Sequence, residues 1–351
     1  MKLPKLPVFF PDATRGLIKS LDTTDIENTK TNGILVNTYH LYKDLGIEYI
    51  KTQGGIKKFM NWDGYVISDS GGFQVGSLIK MNPTAGYVND KGATFKPVGE
   101  KIVKLTPEKS IEFQLELGSD MVVVLDDFTD PKATYDEAKK SVERTILWAK
   151  RSKAEFDKIC SNIKHKAYNK PLILGVIQGG YFQDLRKYCC EELVKIGFDG
   201  FGYGGWPMTE EGVFDLESAK TIAKNTPRGY LLYGLGVGKP QDIVALHKIG
   251  YSIFDCVLPT RDARHGRAYV YKNDEYDYEF VDLTKRKMMA DDNKLSNRCD
   301  CLTCTRYTRS YLAHLFKTGD STVGRLVTIH NLRFYSILME KLQGVDKHHI
   351  L

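Results

Sequence analysis

The sequence predicts a parallel α/β barrel, and three observations carry that prediction. Short β-branched runs alternate with amphipathic helical segments along most of the 351 residues. Neither GxGxxG nor GxxxxGK[ST] follows an early strand, where a doubly wound sheet would carry its phosphate loop. Polar residues stand at the C-terminal ends of many strands, the face on which a barrel builds its site.

The candidate strands, in order, are GILVN (33–37), YVISDS (65–70), MVVVLDD (121–127), LILGVIQ (172–178), GFGYG (200–204), GYLLYG (229–234) and SIFDCVL (252–258). Among the intervening helices the clearest is 134–158, with Ala138, Val142, Ile146 and Ala149 on one face. Shorter helices fit 107–117, 183–196, 210–224 and 240–249. Residues 268–298 are more polar and break the alternation, which marks an insertion.

The net charge of +6 is compatible with a polyanionic partner without requiring one. The clusters Lys285-Arg286-Lys287 and Arg261, Arg264, Arg267 read equally as solvated faces. No apolar stretch is long enough to span a bilayer, and the first residues, MKLPKLPVFFPDATRG, hold no signal-peptide core. A cytoplasmic, non-membrane protein is expected, and its seven cysteines are not expected to form disulfides.

Cys299, Cys301 and Cys304 fall within CDCLTC, close enough for three thiolates to wrap one ion. His330 in LVTIHNLRFY is the expected fourth ligand. His314 in YLAHLF is its rival, though a packed or capping histidine fits that apolar helix better. Four protein ligands leave zinc no open position, so one structural zinc ion per chain is expected.

The strand ends carry the remaining chemistry. Asp255 closes SIFDCVL ahead of a Pro-Thr-Arg turn, with Arg264 and Arg267 close behind. Such a carboxylate serves either as a nucleophile or as an ion-pair anchor. SDSGGFQV sets Asp69 before a Gly-Gly turn, where it either caps the turn or faces a flat ligand that Phe73 could stack on. In LDDFTD, strand alternation sends Asp126 and Asp127 different ways, so one of them faces the site. VIQGG and GYGGW add the amide of Gln178 and exposed backbone at Gly205 and Trp206. Two carboxylates, an amide and backbone edges suit the Watson–Crick edge of a guanine-like base.

Taken together, these segments resemble the catalytic tRNA-guanine transglycosylases (queuine tRNA-ribosyltransferases). The resemblance also runs through VNTYHLY (36–42), KFMNWDG (58–64), LTPEKSIEFQLELGSD (105–120), YDEAKKSVERTILWAKR (135–151), GVGKPQD (236–242), FDCVLPTRDARHG (254–266) and CDCLTC…TIHNLRFY (299–335). It implies an irregular (β/α)8 TIM barrel with a zinc-binding insertion before the last helix. On that basis residues 1–267 form the barrel, 268–330 the insertion, and 331–351 a C-terminal helix packing back on the barrel.

The resemblance implies Asp255 as nucleophile and Asp69 as general acid/base. It places Phe73 against the base, Asp126 on the base edge, Gln178 and Gly205 as further base contacts, and Leu235 on the other face. Arg261 and Arg264 would hold flanking nucleotides, and Cys299, Cys301, Cys304 and His330 the zinc. The implied reaction exchanges guanine at the anticodon wobble position of tRNA for a 7-deazaguanine, through a covalent ribosyl–Asp255 intermediate, in a homodimer without a nucleotide cofactor. The alternatives are a transglycosylase acting on another RNA position or on DNA, a non-catalytic RNA-binding subunit, and a zinc-stabilised hydrolase releasing free base.

Three segments depart from the family pattern: GGWPMTEE (204–211), Asp126-Asp127-Phe128 and LLYGL (231–235). Met208 and Phe128 add volume where smaller residues would leave room for queuine's bulky side group. The backbone carbonyl of Trp206 can still receive an aminomethyl group, and Glu210 keeps an acidic position. The expected incoming base is therefore the smaller preQ1.

Overall fold

The computed structural model describes residues 4–344 apart from 83, 85, 97–101, 163–169 and 210. Eight parallel strands form the barrel: Val8–Pro11, Gly33–Asn37, Tyr65–Asp69, Met121–Val123, Leu172–Ile177, Gly200–Tyr203, Leu231–Gly234 and Ile253–Cys256. The strand Val8–Pro11, which the sequence reading did not include, pairs with the eighth, placing Phe10 opposite Asp255. On its other side Asp12 bridges to Leu35, and Ala13 N–H donates to the Leu35 carbonyl at 2.7 Å. These contacts bring the first strand against the second and close the ring.

Alternation sorts each strand into two faces. Val8, Phe10, Leu35, Ile67, Met121, Val123, Leu174, Val176, Tyr233 and Ile253 point inward and fill the barrel. Their neighbours, such as Val122, Ile173, Phe201, Leu232 and Phe254, pack outward against the surrounding helices. Both faces are apolar, as a parallel sheet under helices requires.

Three local expectations are corrected and one element is added. The strand expected over 121–127 stops at Val123, ahead of an extended segment. The Pro-Thr-Arg turn is the start of a helix, Leu258–Arg264, with Pro259 in its first turn, where the missing N–H costs nothing. The helix expected from 210 begins at Leu216, because Asp215 caps it by accepting from Ser218 N–H at 3.1 Å. A three-stranded antiparallel sheet, Gly86–Asn89, Gly92–Phe95 and Val103–Leu105, was not anticipated.

After the barrel comes a hairpin, Arg267–Tyr271 with Tyr278–Asp282, then short helices leading to the long helix Thr322–Leu342. That helix is continuous through residue 330, so the boundary drawn at 330/331 falls inside it. It packs on the first strand, with the Phe9 and Tyr335 rings 4.5 Å apart. Asn331 ties it to the site: its Nδ2 donates to the carbonyls of Pro259 (2.9 Å) and Arg267 (3.0 Å), and its Oδ1 accepts from Tyr269 N–H. No helix among the described residues is long and apolar enough to cross a membrane.

Candidate active site

Continuing the inward-facing alternation one step past the barrel core places Asp69 after Ile67, Gln178 after Val176, Leu235 after Tyr233 and Asp255 after Ile253. A cavity of about 660 Å³ opens there at the C-terminal mouth. Asp69, Phe73, Asp126, Gly205, Trp206, Leu235, Asp255 and Arg261 all line it.

Asp255 is 8% exposed. Its Oδ1 accepts from the Tyr233 hydroxyl at 2.6 Å and from Gly236 N–H at 2.7 Å. Burial pushes its carboxyl up to about 6, and these two donors oppose the rise. Asp69 takes Asn37 Nδ2 at 2.6 Å on one oxygen, and Thr38 and Gly71 N–H, each at 3.1 Å, on the other. Burial pushes it further, to about 7, with the charges of Asp12 and Asp255 adding to the rise. Gly71 and Gly236 reach their carboxylates at φ 77° and 70°, where side chains are strained.

Asp126 and Asp127 have separate partners. Asp127 pairs with Arg144 at 2.5 Å, on the helix Tyr135–Asn162. Asp126 lines the cavity and accepts from Gln178 Nε2 at 2.6 Å; burial raises it to about 6. Gln178 is itself fully buried, and its Oε1 accepts from Thr129 N–H at 3.1 Å, so it stands behind Asp126. Phe73 and Trp206 are 47% and 48% exposed, apolar surface that a planar ligand would cover. Phe73 meets Phe128 edge to face at 5.1 Å, and Met208 lines the same cavity. Glu210 lies outside the described residues.

Arg261 and Arg264 project from the helix Leu258–Arg264. Arg261 borders the cavity. Arg264 borders an adjoining trough of about 380 Å³ that Arg15 and Lys19 also line.

A second cluster lies outside the mouth. Cys299, Cys301, Cys304 and His330 bring one ligand atom each to within 4.8 Å of one another. His330 Nδ1 is 3.8 Å from Cys301 Sγ and 3.2 Å from Cys304 Sγ, while its Nε2 lies 2.7 Å from the Tyr269 carbonyl. A tetrahedral zinc with bonds of about 2.0–2.3 Å has ligand–ligand edges of roughly 3.5–3.8 Å, so the set fits a metal ion. Donation from Nε2–H to the carbonyl leaves the Nδ1 lone pair facing the thiols. His314 is exposed and stands apart from the cluster.

The chain matches the family model for queuine tRNA-ribosyltransferase over residues 3–345. It is 39% identical over 338 residues to the queuine tRNA-ribosyltransferases of Mannheimia succiniciproducens and Haemophilus influenzae, covering 96% of this chain and 84% of each relative. The enzyme of Pasteurella multocida is 38% identical over 338 residues, covering 96% and 83%. The chain belongs to the queuine tRNA-ribosyltransferase family.

Sequence reasoning passed over several groups that support the candidate site. Asn37 accepts from His40 N–H at 3.0 Å to start one helix, and with its Nδ2 it orients Asp69. Alternation from Leu235 would have found Tyr233. Arg186, 1% exposed, donates to the carbonyls of Gly180 (2.7 Å), Ile177 (3.2 Å) and Gly204 (3.1 Å), tying two strand-end loops together. The sequence gives no signal for that role.

Replacing Tyr233 by Phe removes a donor that favours the ionised form of Asp255. The Asp255 carboxyl is expected to titrate higher than in the wild type, read by carboxyl-carbon NMR. An unshifted titration would assign the Tyr233 hydroxyl to another partner.

Proposed function

We propose that the protein exchanges guanine at the wobble position of a tRNA anticodon for preQ1, with Asp255 as nucleophile and Asp69 as proton donor and acceptor. Family membership carries the reaction class, pentosyl transfer with base exchange. The observation that supports the residue roles is two carboxyls in one cavity, with Asp69 raised further than Asp255.

The Asp255 carboxylate attacks C1′ of the target ribose as the glycosidic bond breaks through an oxocarbenium-like state. Guanine takes the Asp69 proton and leaves as the neutral base. The incoming deazaguanine gives its N9 proton to Asp69 and attacks C1′, which releases Asp255. The RNA backbone is not cut. A guanine that has left its stack can reach this mouth, which suits an anticodon loop. In this reading Phe73 and Leu235 hold the base faces. Asp126 reads the base edge with support from Gln178 and Gly205, and the Trp206 carbonyl takes the aminomethyl group. Arg261 and Arg264 position flanking nucleotides. The enzyme works in the cytoplasm, where tRNA is found, and as a homodimer, which the family resemblance supports.

Zinc held by Cys299, Cys301, Cys304 and His330 would cross-link the insertion to the last helix and take no part in base exchange.

Labelled guanine exchange into defined tRNAs, run beside a base-release assay, tests the reaction. Asp255→Asn is expected to abolish exchange and the covalent enzyme–RNA adduct, since a neutral amide does not displace the base. An undiminished adduct on a denaturing gel overturns the assignment, and base release without exchange supports a hydrolase. With Asp255 near 6 and Asp69 near 7, kcat/KM should rise as pH climbs through about 6, as the nucleophile ionises. It should fall above about 7, as the acid loses its proton.

The metal is tested separately. One zinc per chain is expected by elemental analysis. Cys301→Ala should lower metal content and thermal stability together, and His330→Ala should lose metal while His314→Ala retains it. The opposite pattern for the two histidines would reassign the fourth ligand.

Phe128 and Met208 on the cavity wall favour a small 7-substituent. In competition against labelled guanine, preQ1 should be used and queuine rejected. Equal incorporation of queuine overturns the steric reading.

A further inference from the structure

Asp12 belongs to no role assigned above. Inward alternation on the first strand runs Val8, Phe10 and then Asp12, the same step that delivers Asp69 and Asp255 on their strands. Around the ring, the first strand stands between the eighth, which carries Asp255, and the second, whose Asn37 holds Asp69. Asp12 lines the main cavity and also the adjoining trough that holds Arg15, Lys19 and Arg264.

A local turn explains only half of this side chain. Oδ1 accepts from Thr14 N–H at 2.8 Å and from the Thr14 hydroxyl at 2.5 Å. Asparagine could make that turn without a charge. Oδ2 has no hydrogen-bond partner among the described residues, and Asp12 forms no ion pair with Arg264, although its charge acts on that arginine. A third carboxylate here also works against ionisation of both Asp69 and Asp255.

Position supplies a use for the charge. The groups proposed to hold the base lie on the strands and loops from Asp69 round to Leu235. With the base among those groups and C1′ over Asp255, the rest of the ribose would face away from them, toward the first strand. Beyond it the cationic trough suits a phosphate. Base pocket, Asp12 and trough thus follow the order base, sugar and phosphate.

We propose that the free oxygen of Asp12 accepts a hydrogen bond from the 2′-hydroxyl of the target nucleotide, so that this enzyme reads the sugar as ribose. The proposal rests on the base-exchange reading. A carboxylate is the acceptor that distinguishes a hydroxyl from the hydrogen of a deoxyribose, because removing the donor leaves the charge unpaired beneath the bound sugar.

The test uses the full chain and two anticodon stem-loops, identical except for 2′-deoxyguanosine at the target position. Guanine exchange gives kcat/KM for each, and the readout is the ribose-to-deoxyribose ratio in a variant relative to wild type. That comparison cancels the different intrinsic reactivity of the two sugars. Asp12→Ala should lower the ratio by roughly ten- to a hundredfold, the range for a hydrogen bond to a charged group, through slower use of the ribose substrate. Asp12→Asn keeps an acceptor for the Thr14 turn, guarding against a folding defect, and should lower the ratio in the same direction. A ratio unchanged within about twofold in both variants overturns the proposal, since independent changes simply add. Loss of activity in equal proportion on both sugars would mean that Asp12 only supports the fold, and also overturns it. Failure of the wild type to exchange guanine into the ribose substrate would instead overturn the base-exchange reading beneath it.

Discussion

Two carboxylates buried in one apolar barrel mouth set the terms for the rest of this structure. Removing a charge from water is costly, and a second charge of the same sign nearby adds to the cost. The barrel tolerates the pair by giving each its own donors. Tyr233 and Gly236 serve Asp255, while Asn37, Thr38 and Gly71 serve Asp69. Every donor comes from the same or a neighbouring strand end. The short inter-strand spacing that closes the barrel is therefore also what makes the two groups ionisable.

The long last helix links this mouth to the cluster of three cysteines and His330. His330 and Asn331 are adjacent on it, one facing the thiols and the other the carbonyls of Pro259 and Arg267. Pro259 opens the helix that carries Arg261 and Arg264. A metal held at residue 330 would thus fix, one residue on, the element that presents these arginines. The Tyr335 hydroxyl donates to the Gly238 carbonyl at 2.6 Å, which secures the loop beyond Gly236 in the same way.

The barrel was legible because both faces of its strands are apolar and their ends polar, a pattern that needs no tertiary knowledge. The strand Val8–Pro11 escaped because four apolar residues ending in proline carry little periodicity; pairing with Ile253–Cys256 makes it a strand. The 86–105 sheet escaped because its short strands, split by Asn and Gly, read as loop. At the site, strand-end carboxylates announce themselves by position, and three cysteines by spacing. Asn37, Tyr233 and Arg186 do not, because each acts on a group distant in sequence and only the fold brings them together. The Asp126-Asp127 pair lies between these cases. Alternation implied that the two would part, but only Arg144, on a helix further along, decides which one is neutralised.

The half-exposed rings of Phe73 and Trp206 leave apolar surface at the mouth that the proposed planar base would cover. A planar base covering them would expel water from the mouth and raise the cost of every unpaired charge there. Burial already pushes Asp69 up to about 7, and further desolvation would hold its proton more firmly, as the proposed role of acid requires. Asp255 would feel the same drying with two donors on one oxygen, while Asp69 has three donors spread over both of its own. The proposed division into acid and nucleophile therefore rests on how far burial raises each carboxyl, to about 7 and about 6, rather than on the number of donors, and it uses one residue type at equivalent strand positions.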